Sequence, residues 1–380
     1  MKKRTRILAV LLSLAMTVTM LAGCGGTNGA EGETAGTTAQ TEEAGAETDG
    51  EIRTVVDATG EEIEVPAKPK AIAIAPPVLP SMAYGLQGTG ENFLAISPSA
   101  FSGYDISVMK DLAPELADVN TDVFANDINM EELAAMDPDL VILFDTSEDQ
   151  AEQLKALDIP VAMVTAATDI DSLKSLLAML GDILNCNERA EQLLSWYEEV
   201  ESYIDSKQEE VAALSEEDKP RVLHFMYAEE RNIYASGVNP YITELEGGQN
   251  IVLTGDSADT SSPTMEEILS YDPEIIFLSN FDEVTPEDLY NNNLEGQDWS
   301  SVSAVKNHQV YKVPCGLYRW APPMAIEKPL YMLWTASIVQ PEIFSDIDIR
   351  QEIKDFFSEF FNYDISEEQI DTVLRTELNR

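Results

Sequence analysis

Tyr318, Arg319 and Trp320 stand in a row just after the apolar run Val310–Val313 and carry the most pointed chemical signal in the chain. A guanidinium offers a planar fork of donors to carboxylate, phosphate or hydroxamate-type oxygens, and neighbouring rings can cover the apolar face of a ligand. The same three residues would also suit the packed start of a helix, and both readings stay open. Tyr227 and Arg231 follow a second β-prone run, and Phe101 and Tyr104 a third, so rings and donors recur after strand ends. His224 and His308 are the only histidines. His224 lies inside the β-prone run Val222–Phe225, where a hydrogen-bonded core or cleft residue is the ordinary outcome. His308, in Lys306-Asn307-His308-Gln309, reads as a turn into the next strand.

Catalysis finds little support. The sequence holds no nucleophile elbow, no HExxH and no glycine-rich phosphate loop. Two histidines on separate elements do not make a histidine-rich zinc site. With 69 acidic side chains, paired carboxylates carry no signal. These residues suit ligand capture without turnover, with no catalytic residue, no metal site and no cofactor of the protein's own.

The elements that must position them are those of an α/β protein. Runs at Ala71–Ala75, Phe93–Ile96, Leu140–Phe144, Val161–Val164, Val222–Phe225, Glu274–Leu278 and Val310–Val313 are short, almost wholly apolar and separated by helical stretches. That pattern predicts mostly parallel sheets covered on both faces. Arg53–Asp57 and Glu62–Val65 flank Ala58-Thr59-Gly60 and predict a small hairpin ahead of them. Residues 130–145 (MEELAAMDPDLVILFD) and 265–280 (MEEILSYDPEIIFLSN) share Met, Glu, Glu, Asp and Pro at a constant offset of 135. Two lobes of related design, with a cleft between them, follow from that repeat. Between the lobes, apolar residues at 173, 176, 177, 180, 183 and 184 mark one face of a helix that Asp171 could cap. A second amphipathic segment runs from Glu188 to Leu214, so the crossing is expected to be helical and made once. After Pro341, Ile353, Phe356, Phe357, Phe360 and Phe361 predict a further helix, its rings packed in a core.

Strand ends feeding the cleft would supply its lining. The loops concerned are 76–82 and 97–105 in the first lobe, and 225–232, 280–282 and 314–321 in the second.

The amino terminus carries an address. Residues 1–24 join a basic start to the apolar run Ile7–Ala22, too short for a comfortable membrane span and ordered as an export signal. Its end, Leu21-Ala22-Gly23-Cys24, resembles a bacterial lipobox, which implies a lipid on Cys24. Residues 25–50 have no basic residue, no ring and no apolar side chain larger than alanine, the composition of a tether. Four of the 23 basic residues lie in the expected signal. Its removal leaves 19 against 69 acidic side chains, a net charge of −50 that repels nucleic acid. Cys186, in a helical stretch, and Cys315, after a strand, could form one disulfide or remain two thiols. They are too few for an iron–sulfur cluster.

The order of motifs resembles the iron-complex, haem and cobalamin substrate-binding proteins of ABC importers. The likeness rests on Thr54-Val-Val-Asp-Ala-Thr-Gly60 with Val65-Pro-Ala-Lys-Pro-Lys70-Ala-Ile72, on Glu131–Val141, on Ile242–Ile251 and on Ala304–Tyr311. It covers roughly residues 52–345, and the segment 341–366 is similar to a carboxy-terminal extension of Gram-positive members. The resemblance implies two Rossmann-like lobes with mostly parallel sheets, joined by one long α-helix, and a cleft that captures a bulky metal complex. A ferric siderophore is the leading cargo, with haem, cobalamin or a molybdate-like oxyanion as alternatives. The residues expected at the ligand are Tyr318, Arg319, Trp320, Tyr227, Arg231, Tyr104, Phe101 and His224, with His224 or Tyr227 able to approach an axial position. Docking on a permease implies a surface glutamate on each lobe, Glu148 and Glu244, with Asp149, Glu152 and Glu246 near enough in sequence to take over. The expected partners are a permease with its ATPase, and the membrane through Cys24, for a monomer held on the extracellular face of the cell membrane. The expected organisation is a signal peptide over 1–24, a tether over 25–50, a first lobe over 51–168, interlobe helices over 169–219, a second lobe over 220–340 and a helical extension over 341–380. A surface sensor, an adhesin or an exported enzyme are the readings from other classes.

Overall fold

The computed structural model describes residues 51–250 and 260–380; the expected signal peptide, the tether and Cys24 lie outside the described residues. β1 (Ile52–Val56) and β2 (Glu62–Pro66) pair as an antiparallel hairpin. Then follow β3 (Ile72–Ile74), α1 (Leu79–Gln87), β4 (Phe93–Ile96), α2 (Pro98–Asp105), α3 (Met109–Leu112), α4 (Met130–Ala135), β5 (Leu140–Phe144), α5 (Glu148–Lys155) and β6 (Val161–Val164). The strands form a sheet in the order β4-β3-β5-β6, every pair parallel. Alternation explains why they read as unbroken apolar runs. Ile72, Ile74, Leu140, Ile142 and Val164 face one core, whereas Ala73, Val141, Leu143, Val161 and Met163 face another.

Two helices carry the chain out of this lobe, α6 (Ile170–Ile183) and α7 (Asn187–Asp205), followed by the short α8 (Gln208–Ala212). Asp169, not Asp171, caps α6. Its carboxylate accepts from the Ser172 amide at 2.7 Å, and the Ser172 side chain answers in a reciprocal box. Asp171 sits in the first turn and pairs with Lys174. α6 packs on β6 and α1 of the first lobe, and after a break around Asn185, which takes φ 56°, the 19-residue α7 runs on as the long helix between the lobes, touching α1 and α13.

The second lobe comprises β7 (Arg221–Tyr227), β8 (Asn232–Tyr234), α9 (Val238–Leu245), β9 (Gln249–Asn250), β10 (Thr260–Ser261), α10 (Met265–Tyr271), β11 (Ile275–Leu278), α11 (Pro286–Tyr290), α12 (Ser303–Lys306) and β12 (Val310–Lys312). Its sheet runs β10-β8-β7-β11-β12, with β9 also on β7. β7, β11 and β12 are parallel, whereas β8 runs antiparallel to β7 and β10 antiparallel to β8. The internal repeat survives in three dimensions. α4 leads into β5 as α10 leads into β11, and Asp137 and Asp272 both adopt left-handed φ, 55° and 45°. Asp139 accepts from the amides of Lys70 and Ala71 at the start of β3, and Glu274 from the amide of Arg221 at the start of β7. Each acid, 135 positions apart, thus caps the strand beside its own.

The chain then returns. α13 (Lys328–Val339) packs on α7 and α9, and α14 (Ile349–Phe361) lies against α13. Phe356 and Phe360 meet Trp196 of α7 at 5.0 and 5.5 Å, while Phe361 stacks on Tyr84 of α1 at 5.8 Å. α15 (Glu367–Val373) ties both lobes: Gln369 donates to Asp111 of α3, and the Val373 carbonyl accepts from the Cys315 amide. Asn379 bonds the backbone of Lys312 in β12 through both its amide atoms. The expected rings at 353–361 are core, and their helix binds the end of the chain back to the first lobe. Cys186 and Cys315 are separate thiols, and burial pushes the Cys315 thiol up to about 11.

Candidate functional site

The segment after β12 is held by a buried carboxylate. Cys315 and Arg319 form an isolated antiparallel bridge, so residues 315–319 make a tight turn. Glu327, fully buried at the start of α13, accepts from the amides of Leu317 at 2.9 Å and Tyr318 at 3.1 Å. Gly316 is obligatory there, because a Cβ would collide with the Glu327 carboxylate. Desolvation lifts the Glu327 carboxyl to about 7 against the pull of those two amides. Its neighbour Lys328, also fully buried, donates to the Trp320 carbonyl at 2.8 Å and to Asn239 at 3.2 Å, and sits 4.5 Å over the Tyr331 ring. Burial holds its amine far below the usual lysine range. Tyr197 of α7 donates to the Ile326 carbonyl and Asn239 of α9 to that of Ala321. Three helices thus pin one loop.

That loop aims Tyr318 and Arg319 at α2 of the first lobe. Arg319, 5% exposed, donates from Nε to the Asn280 carbonyl at 2.8 Å, within its own lobe. Nη1 reaches the Ser99 carbonyl across the seam at 3.2 Å and the Tyr318 hydroxyl at 3.1 Å, and Nη2 donates to Ser102 Oγ at 2.9 Å. The guanidinium lies 5.0 Å from the Phe281 ring and 5.2 Å from that of Tyr318. α2 meets it closely: a Cβ on Gly103 would run into the Tyr318 ring. Ser97 caps α2 and Pro98 fills its first position, which orients this helix.

The expected residues divide accordingly. Phe101 and Tyr104 stack on α2 at 5.2 Å, and desolvation together with nearby Glu115 and Asp105 raises the Tyr104 phenol. Tyr227 faces Phe281 at 5.5 Å on the other lobe. Tyr318 and Arg319 meet α2 at Ser99, Ser102 and Gly103, whereas Phe101 and Tyr104 occupy other positions of that helix. Trp320 does not join them: it is fully buried, turned inward beside Gly316 and Glu327. Arg231, at φ 57° in the turn after β7, spends its Nε on the Pro263 carbonyl. His224 is a core residue. Its Nε2 meets Thr243 at 2.7 Å and its Nδ1 the Tyr331 hydroxyl at 3.1 Å, and it stacks on Phe277. Burial, then Lys328, depress its pKa to about 3, so it is neutral and its ring nitrogens are taken. The expectation of an axial approach by His224 is not met. His308 is exposed in its turn, at φ 54°.

Sequence reasoning missed Glu327 and Lys328, whose one signal was an acid–base pair set against the apolar run that opens α13. It also missed Ser99, Ser102 and Asn280 as partners of Arg319. Lys312 is a further buried cation, donating to the carbonyls of Asp282 and Val284, with burial lowering it to about 8. Among the described residues, no group of three or more His, Cys, Asp or Glu is placed to hold a metal ion.

Of the expected docking residues, Glu148 is exposed at the first position of α5, beside a depression shared with Asp127, Asp145 and Asp149. Glu244 is exposed in the last turn of α9. Glu246 is fully buried against Thr335, so it does not substitute for Glu244.

Comparison with known proteins adds kinship to this geometry. The sequence model of the family described as periplasmic binding protein matches residues 98–315. A periplasmic solute binding protein from Veillonella parvula superposes with a TM-score of 0.79 at 35% identity, covering 87% of this chain and 98% of that one. The uncharacterized ABC transporter substrate-binding lipoprotein YvrC of Bacillus subtilis is 26% identical over 336 residues, 86% of this chain and 95% of YvrC. The molybdate-binding protein MolA of Haemophilus influenzae is 22% identical over 271 residues, 66% of this chain and 74% of MolA. The molybdate-bound structure of MolA superposes with a TM-score of 0.68, covering 83% of this chain and 99% of that one.

The pH dependence of stability tests the Glu327 clamp. A carboxyl raised from 4.5 to about 7 holds its proton in the folded state where the unfolded chain has released it, so its contribution to stability falls as pH rises through that window. Glu327→Gln removes this titration. Its unfolding free energy relative to wild type should rise by about 3 kcal/mol between pH 4 and pH 8 in urea titrations. Parallel pH profiles for the two proteins would contradict the assignment.

Proposed function

The chain belongs to the periplasmic binding protein family, and from that membership we propose that it captures an anionic, metal-centred solute, a ferric complex of siderophore type, at the seam between its lobes. Its general role is that of a non-catalytic substrate-binding component of an ABC importer, working outside the cytoplasm in a periplasmic or extracellular setting. The observation that carries the ligand reading is Arg319. One guanidinium stands between two lobes, bonded to Ser99 and Ser102 of α2 on one side and flanked on the other by the Phe281 and Tyr318 rings, with Tyr227 against Phe281. A cation among rings suits an anionic complex with apolar faces.

A compact oxyanion such as molybdate is the second reading. The close approach of Tyr318 to Gly103 favours it, since a narrow seam suits a small solute, as does similarity to MolA, named for binding molybdate. Haem and cobalamin lose support with His224 committed to Thr243 and Tyr331.

Delivery is proposed to use Glu148 and Glu244 as contacts for basic residues of a permease, itself driven by its ATPase. Their exposure, one on each lobe and outside the Arg319 group, supports that role. A lipid on Cys24, with the following acidic stretch as tether, would hold the protein at the membrane as a monomeric capture unit.

Calorimetric titration with molybdate and with a ferric tris-catecholate tests the ligand site. Arg319→Ala should weaken the retained solute by about 2–5 kcal/mol if its partner is a desolvated anion, with unfolding still cooperative. An unchanged dissociation constant would remove Arg319 from the site. For docking, the Glu148→Ala/Glu244→Ala double variant should bind as wild type yet support no uptake in cells. Normal uptake would refute the two contacts.

A further inference from the structure

A separate depression, of about 340 Å³, lies where α6, α7, α9 and α13 meet. Ile170, Ile204, Leu245 and Met332 give it an apolar floor, one residue from each helix. Helix spacing builds the walls. Glu201 and Asp205 stand one turn apart on α7, and Tyr241 and Leu245 one turn apart on α9. The Gln208 side-chain amide donates to the Leu245 carbonyl at 2.8 Å and to that of Ile204 at 3.4 Å, which fixes α7 against α9 beside the groove. Tyr241 keeps 50% of its surface in water, a large ring left half uncovered above an apolar floor. Asp169 and Asp171, at the head of α6, complete a rim of carboxylates with Glu201 and Asp205. Among the described residues no basic side chain lines the groove; Lys174, just outside it, answers Asp171 at 3.2 Å and Glu201 at 2.8 Å.

We propose that this groove is a docking surface for a basic, amphipathic segment of the permease, its cationic side chains meeting the carboxylate rim and an apolar side chain covering the Tyr241 ring. Charge decides the occupant. A second copy of this chain carries the same large negative charge, and residues 25–50 hold no basic residue, so both are repelled. A segment bearing Lys or Arg is attracted instead, and a tyrosine is among the rings that interfaces favour as anchors. Continuity points the same way. Glu244, already proposed as a permease contact, stands three residues after Tyr241 and shares its face of α9. The groove joins α6 of the first lobe to α9 and α13 of the second, so a segment seated in it touches both lobes at once.

The inference rests on the importer reading, and its test separates the two. Tyr241→p-benzoylphenylalanine, in the full chain and photolysed in cells that express the importer, is expected to give an adduct with the permease. Glu148→p-benzoylphenylalanine serves as the control for docking itself. In parallel, the Tyr241→Ser/Asp205→Lys double variant is expected to lower uptake at least fivefold. Its dissociation constant for the probe that wild type retains, molybdate or a ferric tris-catecholate, should stay unchanged. An adduct at 148 with none at 241 would overturn the groove and leave docking through Glu148 standing. No permease adduct at either position would overturn the docking reading, and the groove with it. An adduct at 241 of twice the chain's own mass would make the groove a self-contact, and weakened binding of the probe would move it into the ligand site. Either result overturns the proposal, as does wild-type uptake by the double variant.

Discussion

An ionised carboxylate is costly to enclose in an apolar core, and the cost is tolerable only where hydrogen bonds replace the lost water. Glu327 is enclosed completely, and what replaces water is the backbone of the turn it controls, through the amides of Leu317 and Tyr318. The coupling runs both ways. The turn gives one oxygen of the acid two donors, and the acid keeps the turn in the one shape that points Tyr318 and Arg319 at the other lobe. Lys328 performs the matching task on the carbonyl side by bonding Trp320, so acid and base grip the two ends of one short loop. As the proposed ligand site, a loop built this way would be organised before any solute arrives, which removes an ordering cost from binding.

The rest of the molecule serves that loop. β12 delivers its start, α13 carries the clamp, and α7 and α9 add Tyr197 and Asn239 at its far end. The carboxy-terminal helices then bond Cys315 and Lys312 while packing against α1 and α7, so the loop is braced from both lobes. Arg319 is one point where lobe meets lobe, and its guanidinium serves carbonyls and hydroxyls of both.

Much of this was legible in the order of residues. Unbroken apolar runs such as Leu140–Phe144 mark strands covered on both faces, and the repeat at 130–145 and 265–280 foretold two lobes; its copies even share left-handed Asp137 and Asp272. What escaped was of two kinds. β8 has three residues, too few for periodicity to speak, and its antiparallel course was hidden with it. Partnerships made across long separations were equally hidden. Thr243 and Tyr331 claim His224, and the turn at 317–318 claims Glu327, although charged residues ordinarily stay in water. Tyr318, Arg319 and Trp320 were read as one cluster, yet the tight turn closed by the Cys315–Arg319 bridge sends Tyr318 and Arg319 toward α2 and leaves Trp320 turned inward beside Gly316 and Glu327. At Asp169 a cap two residues early prevailed because Ser172 completes a reciprocal box that Asp171 lacks.

Hydrogen exchange of the protein with and without its retained probe, molybdate or the ferric tris-catecholate, tests the central claim most directly. The account predicts new protection concentrated in residues 98–105 and 315–321, the two sides of the Arg319 seam, with little change in the outer helices α5 and α10. Protection confined to surfaces away from those segments would contradict it.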